Sequence, residues 1–208
     1  MLSEATLPNY HLHRLGSRLF SSSEVPRNLH LGCGPNYLPG FVNIDANPQR
    51  KVDLWLDVRN GLPFPDNSVD SIYSTHMLEH FYHDELLRLF AECWRVLRPA
   101  GGVRFIVPNL GTAITAYLQQ KSEWFDDYPR KLDSLGGRFA NFIFCDGQHR
   151  TAFDFEHMRE LLASTGFHRI HQVREAESSL YGTSVPPYAP GDQRDLPHSL
   201  YVEGFKTP

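Results

Sequence analysis

The residues in this chain best placed for chemistry each follow a short apolar run. Leu29-His30-Leu31-Gly32-Cys33-Gly34-Pro35 puts two glycines directly after the first run. Such glycines let the backbone come close to a ligand and aim amide donors into the space beyond, although a plain turn uses the same residues. A dinucleotide fingerprint asks for a third glycine and for an acid about 20 residues further on. Here position 37 is Tyr37, and Asp45 comes only 13 residues after Gly32, which disfavours nicotinamide and flavin dinucleotides. Asp45 ends the second run and Asp57 the third. A carboxylate can accept from both hydroxyls of a ribose. Asp57 followed by Val58 suits a purine, the carboxylate taking an amino proton and the next amide reaching a ring nitrogen. Either aspartate alone also reads as a turn or cap residue. The fourth run leads through Ser74 into Thr75-His76-Met77-Leu78-Glu79-His80.

The elements that must hold these groups can be read from periodicity and punctuation. Seven short runs predict strands: 28–31, 41–44, 52–56, 69–74, 103–107, 167–173 and 200–205. A helix is predicted from Asp84, with Leu86, Leu87, Phe90, Cys93, Trp94 and Leu97 at helical spacing, acids in its first turn and Arg95 and Arg98 in its last. Pro99 and Gly101-Gly102 stop it. A second runs from the cap Asp154 to Thr165, ended by Gly166. Weaker helical patterns cover Pro8 to Phe20 and Gly111 to Gln120. Helices alternating with strands argue for an α/β fold with a largely parallel sheet. In such a sheet the strand ends carrying Gly32, Asp45, Asp57 and His76 meet in one crevice.

The first three strands depart from that alternation. Gly32 to Gly40 spans nine residues with two prolines, too few for a crossover helix, which needs about 10–12. Two covering helices are therefore expected to be missing from one sheet face. The N-terminal segment, residues 111–145 or a second subunit would have to cover it, which makes a homodimer one expectation.

With 208 residues a single domain is expected, 1–208, with an arm at 1–26, an acceptor-side insertion at 111–150 and a long loop at 174–199. Against 20 basic residues stand 24 acidic ones, so no cationic field favours nucleic acid. Cys33, Cys93 and Cys145 form no CxxC pair, and no apolar stretch reaches the roughly 20 residues of a membrane span. A cytoplasmic protein is the expectation.

The combination of LHLGCG at 29–34, NID at 43–45, LDV at 56–58, LPFPDNSVDSIYSTHMLEH at 62–80, ECWRVLRPAGGVRFIVPN at 92–109 and the ELLASTGF that ends at 167 resembles class I S-adenosylmethionine-dependent methyltransferases. GCGPNYLPGFVNIDANP is similar to a bacterial subgroup with an abbreviated first loop. The resemblance implies a Rossmann-like sheet of seven strands, mostly parallel with an antiparallel last strand, and helices shortened or absent between the first three strands. It implies S-adenosylmethionine as cofactor. Leu31, Gly32, Cys33 and Gly34 would pass its amino acid portion, Asp45 and Ala46 would lie at the ribose, Asp57 and Val58 would flank the adenine, and Ser74, Thr75 and His76 would line the methionine side. The acceptor would be a small molecule or glycan, methylated at oxygen.

An oxygen nucleophile needs a proton acceptor, and a histidine with a pKa of about 6.5 suits that task. His149, in Asp146-Gly147-Gln148-His149-Arg150, is the candidate base and Asp146 its orienter; in a chain with 11 histidines a surface residue is the plain alternative. No metal is expected on this reading. Two rivals stay open. His76-Met77-Leu78-Glu79-His80 fits H-x-x-E-H, a zinc hydrolase motif when its five residues lie in a helix. A non-catalytic cofactor-binding partner protein is the other.

Overall fold

The computed structural model describes residues 27–182, 184, 186 and 195–207, so the helix expected over Pro8 to Phe20 lies outside the described residues. The elements run β1 (Asn28–Leu31), β2 (Val42–Asp45), β3 (Leu54–Trp55), β4 (Val69–Thr75), α1 (His83–Val96), β5 (Leu97–Pro108), α2 (Leu110–Leu118), α3 (Leu135–Phe144), α4 (Phe155–Ser164), β6 (His168–Val173) and β7 (Ser199–Phe205). One seven-stranded sheet results, ordered β3-β2-β1-β4-β5-β7-β6. Its pairings are parallel from β3 to β5, and β7 alone runs against its neighbours β5 and β6. No helix lies between β1 and β2 or between β2 and β3. Chain order reverses between β1 and β4, the position where open α/β sheets bind ligands.

Local chemistry explains most boundaries. The Tyr82 amide donates to the Glu85 carboxylate at 2.8 Å and opens α1 one residue before the expected Asp84. Asp154 caps α4 by accepting from the His157 amide at 2.8 Å. Helix α1 ends at Val96 rather than at Arg98, because Leu97 to Gly102 already belongs to β5. The Ala100 amide donates to the Lys206 carbonyl and the Lys206 amide to that of Gly101, pairing this stretch with the chain beyond β7. Helix α3 was not legible from periodicity, since Gly136 and Gly137 in its first turn count against a helix. Tertiary contact overrides that: Phe139 and Phe142 pack with Trp124, Phe125 and the α2 residues Ala113 and Ala116 in a small cluster of their own.

The main core lies on one sheet face. Leu29, Leu31, Ile44, Ile72, Val103, Phe105 and Val202 meet Leu86, Phe90 and Cys93 of α1 and Met158, Leu161 and Leu162 of α4. The other face, expected to be thinly covered, combines a small aromatic and aliphatic cluster with buried polar groups that pair with one another. A ring nitrogen of His30 shares a hydrogen bond with the Asn43 amide oxygen at 3.2 Å, and Tyr73, Ile106 and Tyr201 cluster with Leu38 and Phe41. Arg104 donates to Glu203 at 2.8 Å, and both are fully buried. Residues 174–181 close over this pair. Carbonyls of Arg174, Glu175 and Glu177 accept from Arg104, Glu203 accepts from the Ser179 amide, and the Tyr181 hydroxyl donates to Ser71. The first part of the expected long loop is thus pinned to the sheet, and this cover comes from within the chain.

Burial drives the pKa of His30 down to about 4, against a weaker upward pull from Asn43. The unfolded chain takes up that proton near pH 6.5, so stability is intact above 6.5 and falls as the pH drops towards 4. The expected loss by pH 5 is about 2 kcal/mol. Urea unfolding at pH 7 and pH 5 checks it: His30→Gln should lose less stability than the wild type over this interval, and equal losses would remove His30 as the cause.

Candidate functional site

The carboxyl ends of β1 to β4 surround a cleft of about 210 Å³. Gly32, Asp45, Ala46, Asp57 and Val58 all line it, with Leu56, Met77, Phe81 and His80. The turn after β1 is built for close approach. Gly32 has φ +62°, and a Cβ there would collide with the Met77 side chain; Gly34 has φ +52° and open space where a Cβ would stand. The Gly34 amide donates to Asp45 at 2.8 Å, while the other Asp45 oxygen accepts from the Asn47 amide at 2.8 Å. The acid at the end of β2 therefore also fixes the glycine turn.

Asp57 caps the short turn Val58–Asn60 and forms a two-pronged pair with Arg59, whose Nε and Nη2 donate at 2.9 and 2.7 Å. The Arg59 guanidinium holds the Asp57 carboxyl below the usual range. An adenine amino group would share this carboxylate with Arg59. Leu31 is fully buried in the core, and burial raises the Cys33 thiol to about 11, which keeps it unreactive at neutral pH. Ser74 and Thr75 are buried at the end of β4, and their hydroxyls have no partner among the described residues.

His76 adopts φ +47°, a strained left-handed conformation for a residue with a Cβ, of the kind that concentrates at working sites. Its Nδ1 lies 3.3 Å from Glu79 and its Nε2 3.1 Å from the Ser199 hydroxyl. The stretch that follows forms a single 3-10 turn, Leu78–His80, and not an α-helix. The i, i+4 argument for H-x-x-E-H rests on a helix, so that motif geometry is absent.

Sequence spacing gave no sign that residues 149–151 fold back on Glu79. The Glu79 carbonyl accepts from the amides of Arg150 at 2.7 Å and Thr151 at 3.2 Å. His149 thereby arrives with Nε2 4.0 Å from Glu79 and its ring edge-on to His80, centroids 5.2 Å apart. Its Nδ1–H donates to the Ile143 carbonyl at 3.0 Å. Burial lowers the His149 pKa, and Glu79 works against that shift. The expected pairing with Asp146 does not occur. Asp146 lies exposed and binds Arg130 through two contacts of 2.9 and 2.8 Å, which leaves Ile143 and Glu79 to orient His149. Glu79, 2% exposed, is the residue that sequence reasoning under-read; a carboxylate flanked at short spacing by two histidines was its only signal.

The fit to an adenosyl ligand can be judged from this geometry. Two carboxylates stand at adjoining strand ends, apolar walls come from Leu56, Val58, Met77 and Phe81, and the glycine turn is open beside Asp45. These groups suit a nucleoside with a diol.

Residues 33–105 match the family described as a methyltransferase domain. No curated protein matches the sequence. Among solved structures, the chain is similar to an S-adenosylmethionine-dependent methyltransferase from Archaeoglobus fulgidus, at 15% identity and TM-score 0.53, covering 95% of this chain and 93% of that one. A methyltransferase from Mesorhizobium loti aligns at 17% identity and TM-score 0.52, over 93% and 96% of the two chains. The phosphoethanolamine N-methyltransferase 2 of Haemonchus contortus, solved with S-adenosyl-L-methionine, aligns at 13% identity and TM-score 0.56, over 96% of this chain and 53% of that one. Among the described residues no helix is long and apolar enough to cross a membrane.

Proposed function

We propose that this chain is a class I S-adenosylmethionine-dependent methyltransferase that methylates an oxygen of a small-molecule or glycan acceptor. Bound in the cleft, the cofactor supplies an electrophilic methyl group on a sulfonium. Asp45 would hold the ribose hydroxyls, Asp57 and the Val58 amide the adenine edge, and the backbone of 31–34 the amino acid portion. Ser74, Thr75 and His76 would flank the reacting end, and residues 111–150 would form the acceptor side.

The observation that carries the reading is the histidine cluster on Glu79, which reaches the cleft through His80. As the acceptor oxygen bonds to the methyl carbon and the S–C bond breaks, the acceptor's proton passes to Nε2 of His149. Glu79 beside that nitrogen favours the resulting imidazolium. Alignment of the two reactants and exclusion of water provide the rest of the rate.

Asp45→Asn is expected to weaken S-adenosylhomocysteine binding about 10- to 100-fold, since a charge-assisted hydrogen bond contributes about 1.5–3 kcal/mol. Calorimetry measures this, and undiminished affinity in a folded variant would remove Asp45 from the cofactor site. Labelled methyl transfer to a panel of sugars and small alcohols tests the acceptor class; labelling confined to amine or thiol acceptors would overturn the assignment to oxygen.

A further inference from the structure

The groups around Glu79 also form a set of metal ligands, which competes with the base role of His149. A carboxylate oxygen of Glu79 and ring nitrogens of His80 and His149 all lie within 4.8 Å of one another. Each of these histidines is already held through its Nδ1. His80 Nδ1–H donates to the Gln148 carbonyl at 3.1 Å, and His149 Nδ1–H to the Ile143 carbonyl at 3.0 Å. An imidazole whose Nδ1–H is committed in this way presents a bare lone pair at Nε2, and such hydrogen bonds to carbonyls orient metal-ligating histidines.

The arrangement leaves two acceptors facing each other, since Nε2 of His149 stands 4.0 Å from Glu79 Oε1 with no proton of its own to offer. Glu79 is buried, its Oε1 lies 3.3 Å from Nδ1 of His76, its Oε2 has no partner among the described residues, and no lysine or arginine among them pairs with it. A buried carboxylate without a fixed cation is costly unless a positive charge joins it.

We propose that Glu79, His80 and His149 bind one divalent ion of the zinc class at the mouth of the cofactor cleft. Two nitrogen and one oxygen ligand match the donor set of such ions in sites that keep a position open. Ligands about 2.1 Å from a tetrahedral ion stand about 3.4 Å apart, so the separations, 4.0 Å between Glu79 and His149 and within 4.8 Å for the whole set, close by side-chain movements of about an ångström. Because His80 lines the cleft, an ion held there lies beside it, where a hydroxyl or carboxylate of the acceptor could complete the coordination. This part rests on the methyl-transfer reading. Ion and proton use the same lone pair of His149, so the loaded chain has no free base at that nitrogen. The set differs from His76, Glu79 and His80 of the sequence motif, because tertiary folding supplies His149.

The test titrates Zn²⁺ into chelator-treated full-length protein by calorimetry and follows Co²⁺ by visible absorption. One ion per chain with tetrahedral Co²⁺ bands is expected, with affinity at least about 10-fold weaker in Glu79→Gln and in His80→Gln. The exposed His80 gives a variant that folds even if Glu79→Gln does not. The absence of saturable binding, or binding unchanged in His80→Gln, would overturn the proposal. S-adenosylhomocysteine affinity of the same samples reads the cofactor site separately. Normal affinity with no ion bound sinks the ion site alone, and lost affinity with an ion bound sinks only the methyl-transfer reading.

Discussion

His149→Gln in chelator-treated protein is expected to slow methyl transfer to a hydroxyl acceptor by about 10²–10³-fold, while S-adenosylhomocysteine affinity changes less than about 2-fold. Glutamine keeps a side-chain donor for the Ile143 carbonyl and is close in size, yet it cannot take up a proton. The loss should therefore fall on the maximal rate and not on cofactor binding. Chelator treatment keeps a bound ion from confusing the result. The matched variant Asp146→Asn breaks only an exposed pair with Arg130 and should leave turnover within about 2-fold. If His149→Gln retained full rate, the base would have to be sought elsewhere, and His76 would be the next residue to replace.

Arg104→Met is expected to cost about 3–5 kcal/mol of unfolding free energy, because it leaves Glu203 charged and uncompensated in a dry interior. It also strips donors from three carbonyls of the 174–177 segment. Glu203→Gln should lose less, since its amide oxygen can still accept from Arg104 or from Ser179. Urea unfolding gives the magnitudes. Hydrogen exchange gives the place: the amides of Ser179, Leu180 and Tyr181, which now donate to Glu203 or Ser178, should exchange faster in Arg104→Met. A loss below about 1 kcal/mol would mean that the pair is not what holds this segment to the sheet.

Both expectations turn on side chains far apart in sequence. Arg104 and Glu203 meet only because β5 and β7 pair antiparallel, in a register that sets these two residues opposite each other. Read as a string, each is an ordinary charged residue in an apolar run, and alternation alone would send it to solvent. His149 likewise reaches Glu79 only through the amides of Arg150 and Thr151 on the Glu79 carbonyl. Proximity in sequence made Asp146 the obvious partner of His149, but a left-handed turn at Cys145 and Asp146 directs that carboxylate to Arg130.

Strand existence, the two long amphipathic helices, the glycine turn and the acids at the strand ends were determined by sequence alone, because period, punctuation and residue type act within a few residues of one another. The missing crossovers were fixed just as locally, by loops too short to hold a helix. What covers the second sheet face, which side chains pair inside it, and how His149 joins His76 and His80 at one buried carboxylate were decided only by tertiary structure. Those outcomes follow from contacts 65 to 100 residues apart, where burial sets the strength of each charge and hydrogen bond, and no local pattern records them.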